Sequence, residues 1–219
     1  ACSTGQEPYS IAMSILDHPL ITSDWQVDVT ATDINEEILE RARQAKFSQL
    51  EVNRGLPVSM LVRHFERAET DWRVVAPVRS MVRFKALNLA EPFDMPPMDV
   101  VFLRNVLIYF DSATKSEVLK RVRRVLRPDG YLLLGGAETT LGLDDGFDRV
   151  AVGTTTAYRP KGAGPAELPD KPVPAVAGPG VVGPRFPDGS AIAPNGPPKV
   201  GPNPAPIVWP FQPSGQRLN

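Results

Sequence analysis

Polar side chains that could do chemistry cluster in the segment from Asp99 to Asp111, which reads DVVFLRNVLIYFD. Its apolar run, Val100 to Leu103, is typical of a strand buried on both faces. Arg104 and Asn105 follow directly, and in open α/β sheets ligands bind beyond the carboxyl ends of the strands. The phenol of Tyr109 comes shortly afterwards. The segment therefore predicts a polar ligand site at the end of a buried strand, and an ordinary strand, loop and helix is the alternative.

The first residues of the chain, ACSTGQEPYS, predict a tight turn at Gly5 that leads into a helix. Gly5 allows a ligand to approach the backbone, and the free N–H groups of a helix start attract an anion or a carboxylate. Glu7, in the first turn, is suited to bind an ammonium group instead. We expect the buried face of this helix to consist of Ile11, Ala12, Ile15 and Leu16.

Two further predicted strands end in polar residues. The segment from Val27 to Asp33 alternates apolar and polar residues, and Asn35 after it predicts a helix cap. An acidic residue roughly 20–30 residues after a glycine turn is the ribose ligand of nucleotide-binding α/β folds, although Asp33 could simply cap the helix. The segment from Val82 to Leu89 is the other strand, and its Asn88 could hydrogen-bond an adenine edge.

Residues 47–82 interrupt the alternation of strands and helices. A short helix from Pro57 to Phe65 is followed by two short apolar-polar pieces, Trp72 to Val75 and Val78 to Met81. These predict a small antiparallel β insertion at about residues 63–81. Arginines make it locally basic: Arg63, Arg67, Arg73, Arg79 and Arg83. A solvated surface and a docking face for an acidic protein both fit this pattern.

The remaining globular elements are more ordinary. Ser112 is expected to cap a helix, and residues 127–130 to form a turn before a buried strand from Tyr131 to Leu134. Residues 147–152 and 154–158 predict a closing antiparallel pair. His18 and His64 match no metal-ligand spacing, so we interpret both as structural.

Composition limits the possible partners and the compartment. The 219 residues carry a net charge of −1, which does not indicate binding to nucleic acid or to membranes. The chain has one cysteine, and its apolar runs are all much shorter than the roughly twenty residues needed to span a bilayer. Both observations favour a cytoplasmic protein. Sixteen of the 24 prolines lie in residues 160–219, which predicts a disordered tail.

Four motifs together resemble the CheR-type protein-glutamate O-methyltransferases of bacterial chemotaxis: ACSTGQEPYSIAM, ATDIN, FLRNVLIYFD and LRPDGYLLLGGAE. The resemblance covers residues 1–159 and implies a class I methyltransferase domain, an α/β Rossmann-like sheet that uses S-adenosylmethionine and no metal. It also implies that a first strand and a helical domain precede Ala1, so the isolated chain is expected to be poorly stable and weakly active or inactive. Residues 160–219 form the tail, whose partner the resemblance does not identify.

The resemblance also assigns roles to individual residues. The residues implied to bind the cofactor are Gly5, Glu7, Asp33, Asn88, Leu89, Arg104 and Asn105. Tyr109 and Arg104 are implied to act in catalysis, on glutamates of a chemoreceptor cytoplasmic domain that docks on the β insertion. The short loop at residues 69–71 resembles members that need no receptor tether. A methyltransferase of the same fold with another substrate, and a non-catalytic cofactor-binding scaffold, are the alternatives.

Overall fold

The computed structural model describes residues 1–21 and 25–162. The helices are α1 (Gln6–Leu16), α2 (Glu36–Gln44), α3 (Gln49–Val52), α4 (Val58–His64), α5 (Ala76–Ser80) and α6 (Ser112–Val125). The strands are β1 (Val29–Asp33), β2 (Lys46–Phe47), β3 (Phe65–Ala68), β4 (Asp71–Val74), β5 (Val82–Ala86), β6 (Met98–Leu103), β7 (Leu126–Leu134), β8 (Phe147–Val152) and β9 (Thr155–Pro160).

Among the described residues, four strands form two parallel pairs. Helices separate the two strands of each pair along the chain. β1 pairs in parallel with β5, and β6 pairs in parallel with β7. β7 continues antiparallel to β9, and β9 to β8, so the closing antiparallel pair is confirmed, with its second strand at residues 155–160. Strands that alternate with helices along the chain and pair in parallel confirm the α/β prediction.

The prediction that β6 is buried on both faces is wrong. Val100 is 46% exposed and Phe102 is 39% exposed. Within the described ranges β6 pairs with β7 alone, and β1 pairs with β5 alone. Val101 and Leu103, which alternate with Val100 and Phe102, pack in a hydrophobic cluster, so β6 buries mainly one face.

Buried side chains form two hydrophobic clusters. In the first, the ring of Tyr9 contacts Phe47 and Phe84 edge to face, with centroid distances of 6.2 and 5.7 Å. Burial raises the pKa of Tyr9 to about 12, and its hydroxyl donates to the carbonyl of Ala42 at 2.9 Å. In the second, α6 buries Val118, Leu119 and Val122.

The buried face of α1 differs from the predicted one. It consists of Pro8, Tyr9, Ala12 and Met13, whereas Leu16 is 45% exposed. Two apolar stripes at helical spacing overlap at Ala12, and the helix turns the stripe with the large Tyr9 ring towards the core. This orientation leaves Tyr9 only 2% exposed.

The predicted insertion is a three-stranded antiparallel sheet in the order β2-β4-β3. The two residues of β2 were not predicted to belong to it. The prediction of a strand-like piece at residues 78–81 is wrong, because residues 76–80 form α5. Pro77 lies in the first turn of this helix, where its missing N–H costs nothing.

Two local predictions around α6 need correction. Asp111, rather than Ser112, caps the helix, since its Oδ1 accepts from the N–H of Thr114 at 2.7 Å. The predicted turn at residues 127–130 lies within β7 as an irregularity: Leu126 is opposite Met98, and Tyr131 is opposite Val100. No helix in the described stretches is long and apolar enough to cross a membrane. The predicted tail lies outside the described residues from position 163 onwards.

Candidate functional site

The carboxylate of Asp33, at the carboxyl end of β1, connects two loops. Its Oδ2 accepts from the N–H of Ser3 at 2.9 Å, and its Oδ1 accepts from the N–H of Asn35 at 3.2 Å. Asn35 itself caps α2, because its side chain accepts from the N–H groups of Glu37 and Ile38. Asn35, and not Asp33, therefore caps α2. Asp33 lies beside the glycine turn, in the position of an acidic residue that binds a nucleotide.

Gly5 forms the turn that starts α1. Its φ of 95° lies in the left-handed region, and a Cβ there would lie 3.1 Å from Tyr9 Cε2 and 3.3 Å from Ala42 Cβ. No side chain caps α1 at this position. Because Gly5 has no side chain, it does not cap the first N–H groups of the helix. Uncapped N–H groups at a helix start bind carboxylates and other anions.

Glu7 and Arg104 form a salt bridge. It joins the first turn of α1 to the residue directly after β6, two parts of the chain that are far apart in sequence. The side chains are 31% and 27% exposed, so the pair lies in a partly covered position that a small ligand can reach. Adjacent opposite charges match the ammonium and carboxylate groups of an amino acid.

Asn88 and Leu89 follow Leu87, whose backbone bonds to Asp33. The N–H of Leu87 donates to the carbonyl of Asp33 at 2.9 Å and so extends the pairing of β1 with β5. The amide of Asn88 is already engaged locally, donating to Glu91 at 2.9 Å and accepting from the N–H of Ala90 at 3.0 Å. Leu89 packs against the second hydrophobic cluster.

Asn105 follows Arg104 with φ of 58°, in the left-handed region that asparagine enters more readily than most residues other than glycine. Glu138 stabilises this conformation, because its carboxylate accepts from the N–H of Asn105 at 2.7 Å. The sequence patterns assigned no role to Glu138. It is the last residue of the LRPDGYLLLGGAE motif, and this was the one signal that could have identified it.

Tyr109 ends a 3-10 turn formed by Leu107–Tyr109, on the same loop as Asn105. Its side chain is 59% exposed. A phenol in this position is accessible to a macromolecular substrate.

Two contacts connect parts of the predicted site: Asp33 accepts from Ser3 in the glycine turn, and Glu7 pairs with Arg104. Asn88 and Leu89 follow the strand paired with β1, and the amide of Asn88 bonds within its own loop. Tyr109 lies on the loop that begins at Arg104. Among the residues described, no group of three histidine, cysteine, aspartate or glutamate side chains could hold a metal ion. His64 is buried, with Nε2 3.0 Å from Asp17 Oδ2.

Comparison with known proteins gives the family. The model of the CheR methyltransferase, SAM binding domain, matches residues 1–156. The probable biofilm formation methyltransferase WspC of Pseudomonas aeruginosa is 38% identical over 80% of this chain and 43% of its own length. Chemotaxis protein methyltransferase 1 of the same species is 38% identical over 74% of this chain and 61% of its own. The chemotaxis protein methyltransferase of Vibrio parahaemolyticus is 40% identical, with shares of 74% and 60%.

The chain thus spans 43–61% of the length of these relatives. The match confirms the resemblance and, with the parallel strand pairs, the class I methyltransferase fold. It also confirms S-adenosylmethionine as the cofactor, for which this domain of the family is named. The chain belongs to the CheR methyltransferase family, of which it carries the SAM-binding domain.

Proposed function

We propose that this chain supplies the cofactor site of a methyltransferase that esterifies glutamate side chains on chemoreceptor cytoplasmic domains. The observation that carries the proposal is the Glu7–Arg104 pair beside the Asp33-bound glycine turn. S-adenosylmethionine ends in an amino acid with one ammonium and one carboxylate group. Glu7 would hold the ammonium group, Asp33 the ribose hydroxyls, and Asn88 with Leu89 would border the adenine.

Arg104, Asn105 and Gly5 complete the proposed cofactor site. Arg104 would line the methionyl side together with Asn105, and the Gly5 turn would let the ligand approach the backbone. Three features of the chain match the groups of an adenosyl amino acid. They are the Glu7–Arg104 pair, the acidic Asp33 at a strand end, and the start of α1, which has no side-chain cap.

The proposed chemistry needs orientation more than proton transfer. Bound S-adenosylmethionine supplies a methyl group on a positively charged sulfur. A glutamate carboxylate is already ionised near pH 7, so the chain need not provide a base. Tyr109 and Arg104 would orient the reacting groups, and catalysis would come from alignment and from the exclusion of water.

The β2-β4-β3 sheet carries Arg67 and Arg73 and is proposed to dock the receptor. The other arginines of the basic segment lie outside this sheet and pair with carboxylates of the chain: Arg63 in α4, Arg79 in α5 and Arg83 in β5. Arg67 is exposed, and its guanidinium lies 4.6 Å from the centroid of the Trp72 ring. We therefore assign Arg67 and Trp72 to the docking face, where an acidic receptor surface would bind. A cytoplasmic location follows from this substrate.

The docking role predicts a selective effect of Arg67→Gln. The KM for a receptor fragment should rise about fivefold, because an arginine at an interface rim contributes on the order of 1 kcal/mol. The Kd for S-adenosylmethionine should stay unchanged. Arg124→Gln, an exposed arginine on α6, is the matched control. An equal rise of the KM in both variants would remove the docking assignment.

Transfer of a labelled methyl group to a chemoreceptor cytoplasmic fragment tests the proposal. The full-length natural protein should form a base-labile methyl ester on glutamate. Cofactor binding without transfer to any protein would favour the scaffold alternative, and a base-stable product would favour another substrate. The similarity to a probable biofilm formation methyltransferase makes a role in biofilm formation an alternative to a role in chemotaxis.

A further inference from the structure

Glu138 lies in the loop after β7 and binds four backbone N–H groups through its carboxylate. Oε2 accepts from Asn105 at 2.7 Å and from Gly135 at 2.8 Å. Oε1 accepts from Val106 at 3.0 Å and from Leu107 at 2.8 Å. Three of these donors are consecutive residues of the loop that begins at Arg104 and ends at Tyr109.

This arrangement has the form of a backbone nest that is filled by a side chain of the same protein. Successive N–H groups turned to one side make an anion-binding concavity, which occurs where a residue adopts the left-handed conformation. Asn105 has that conformation, with φ of 58°. Hydrogen bonds to a charged acceptor are about twice as strong as neutral ones, so the Glu138 carboxylate compensates for the unusual backbone.

Gly135 gives the carboxylate room to enter. A Cβ at this position would lie 2.6 Å from Glu138 Oε2 and 3.0 Å from the backbone nitrogen of Asn105. At Gly136, the next residue, a Cβ would meet no atom within 4 Å. The Glu138 contact therefore requires glycine at position 135 but not at position 136.

We propose that Glu138 is a positioning residue, which holds the 104–109 loop in the conformation that presents Arg104, Asn105 and Tyr109 to the cofactor and the substrate. Its effect on binding rests on the proposed function. Its effect on the loop does not, because the four hydrogen bonds exist without a ligand. Glu138 touches neither reacting group, and it acts through the backbone of the loop.

Two variants and one control test the proposal in the full-length natural protein. Glu138→Gln keeps the shape of the side chain but puts an NH₂ donor in place of one acceptor oxygen. Gly135→Ala keeps Glu138 and displaces its carboxylate. Gly136→Ala adds the same methyl group to open space and should behave as the wild type.

Amide hydrogen exchange is the readout that needs no cofactor. The amides of residues 105–107 should exchange at least about tenfold faster in Glu138→Gln and Gly135→Ala, since each loses charge-assisted hydrogen bonds. Amides of the β8–β9 pair should keep their rates in all three variants. Unchanged exchange at residues 105–107 in Glu138→Gln would overturn the proposal.

Ligand binding separates positioning from a merely structural role. The Kd for S-adenosylmethionine should rise about tenfold or more in the two variants, the equivalent of one charge-assisted hydrogen bond. The kcat should fall as well, because the same loop carries Tyr109, whereas the KM for the receptor fragment, which is proposed to dock on the β2-β4-β3 sheet, should stay unchanged. Faster loop exchange with an unchanged Kd and an unchanged kcat would reduce Glu138 to a structural residue. A wild-type protein without affinity for S-adenosylmethionine would refute the proposed function instead, while the exchange data would still test the loop.

Discussion

Replacement of Glu7 by glutamine tests how the proposed site recognises the amino acid end of its cofactor. The change keeps the size of the side chain and removes its charge. Glu7 binds Arg104 at the start of α1, and both side chains are about one-third exposed or less. An ion pair with this much solvent contact contributes on the order of 1 kcal/mol or less to folding. We therefore expect Glu7→Gln to fold with nearly the stability of the wild type.

The effect on ligand binding should be larger. Loss of a charge-assisted hydrogen bond to the ligand ammonium costs about 1.5–3 kcal/mol. This corresponds to a Kd for S-adenosylmethionine that is roughly 10- to 150-fold weaker. Methylthioadenosine, which has the adenosine and the sulfur but no amino acid, gains nothing from Glu7, and its Kd should be the same for both proteins.

Isothermal titration calorimetry of the two ligands on the two proteins measures this difference. Equal weakening of both ligands would mean that Glu7 supports the whole site through folding. Equal affinities in both proteins would refute its role as the ammonium ligand. Arg104→Gln completes a double-variant cycle, in which the effects of the contacting pair should not be additive.

Three further predictions concern other parts of the chain. Gly5→Ala should destabilise the protein by about 1–3 kcal/mol in chemical denaturation, because φ is 95° and the Cβ would crowd Tyr9; Gly142→Ala, with φ of 72° and open space, should cost less. Tyr109→Phe should keep the cofactor Kd but lower kcat about tenfold, and an unchanged kcat would remove Tyr109 from catalysis. Burial acts to raise the pKa of Asp17, but hydrogen bonds from His64 and Arg63 outweigh it, and the pKa is lowered. The Asp17 carboxylate therefore stabilises the fold above its ordinary pKa of 3.8, and this stabilisation is lost as the pH falls through the lowered pKa. Urea midpoints measured from pH 6 to 2 should therefore fall less in Asp17→Asn than in the wild type.

The ends of the parallel strands could be predicted from the sequence. Asp33 ends the alternating strand β1 and Arg104 directly follows the apolar strand β6, and such a polar residue at the end of a strand marks the point at which the strand reaches the surface. The hypothesis that these ends converge needed only the rule that parallel strands present their carboxyl ends together. The Glu7–Arg104 contact agrees with it.

Features that depend on distant neighbours could not be predicted. The role of Glu138 arises from four backbone donors, and a sequence contains no direct signal of where N–H groups point. The exposure of Val100 depends on whether another element covers its face of β6, and the residues of β6 do not determine this. Short segments such as residues 78–81 contain too few apolar positions to distinguish a helical period from a strand period.

The central claim is that residues far apart in the sequence form one site for S-adenosylmethionine. A crystal structure of the full-length natural protein with the product S-adenosylhomocysteine tests it most directly. We expect the ligand ammonium at Glu7, the ribose hydroxyls at Asp33 and the adenine beside Asn88 and Leu89. A ligand bound elsewhere, with Glu7 and Arg104 still paired only with each other and Asp33 touching only the protein backbone, would contradict it.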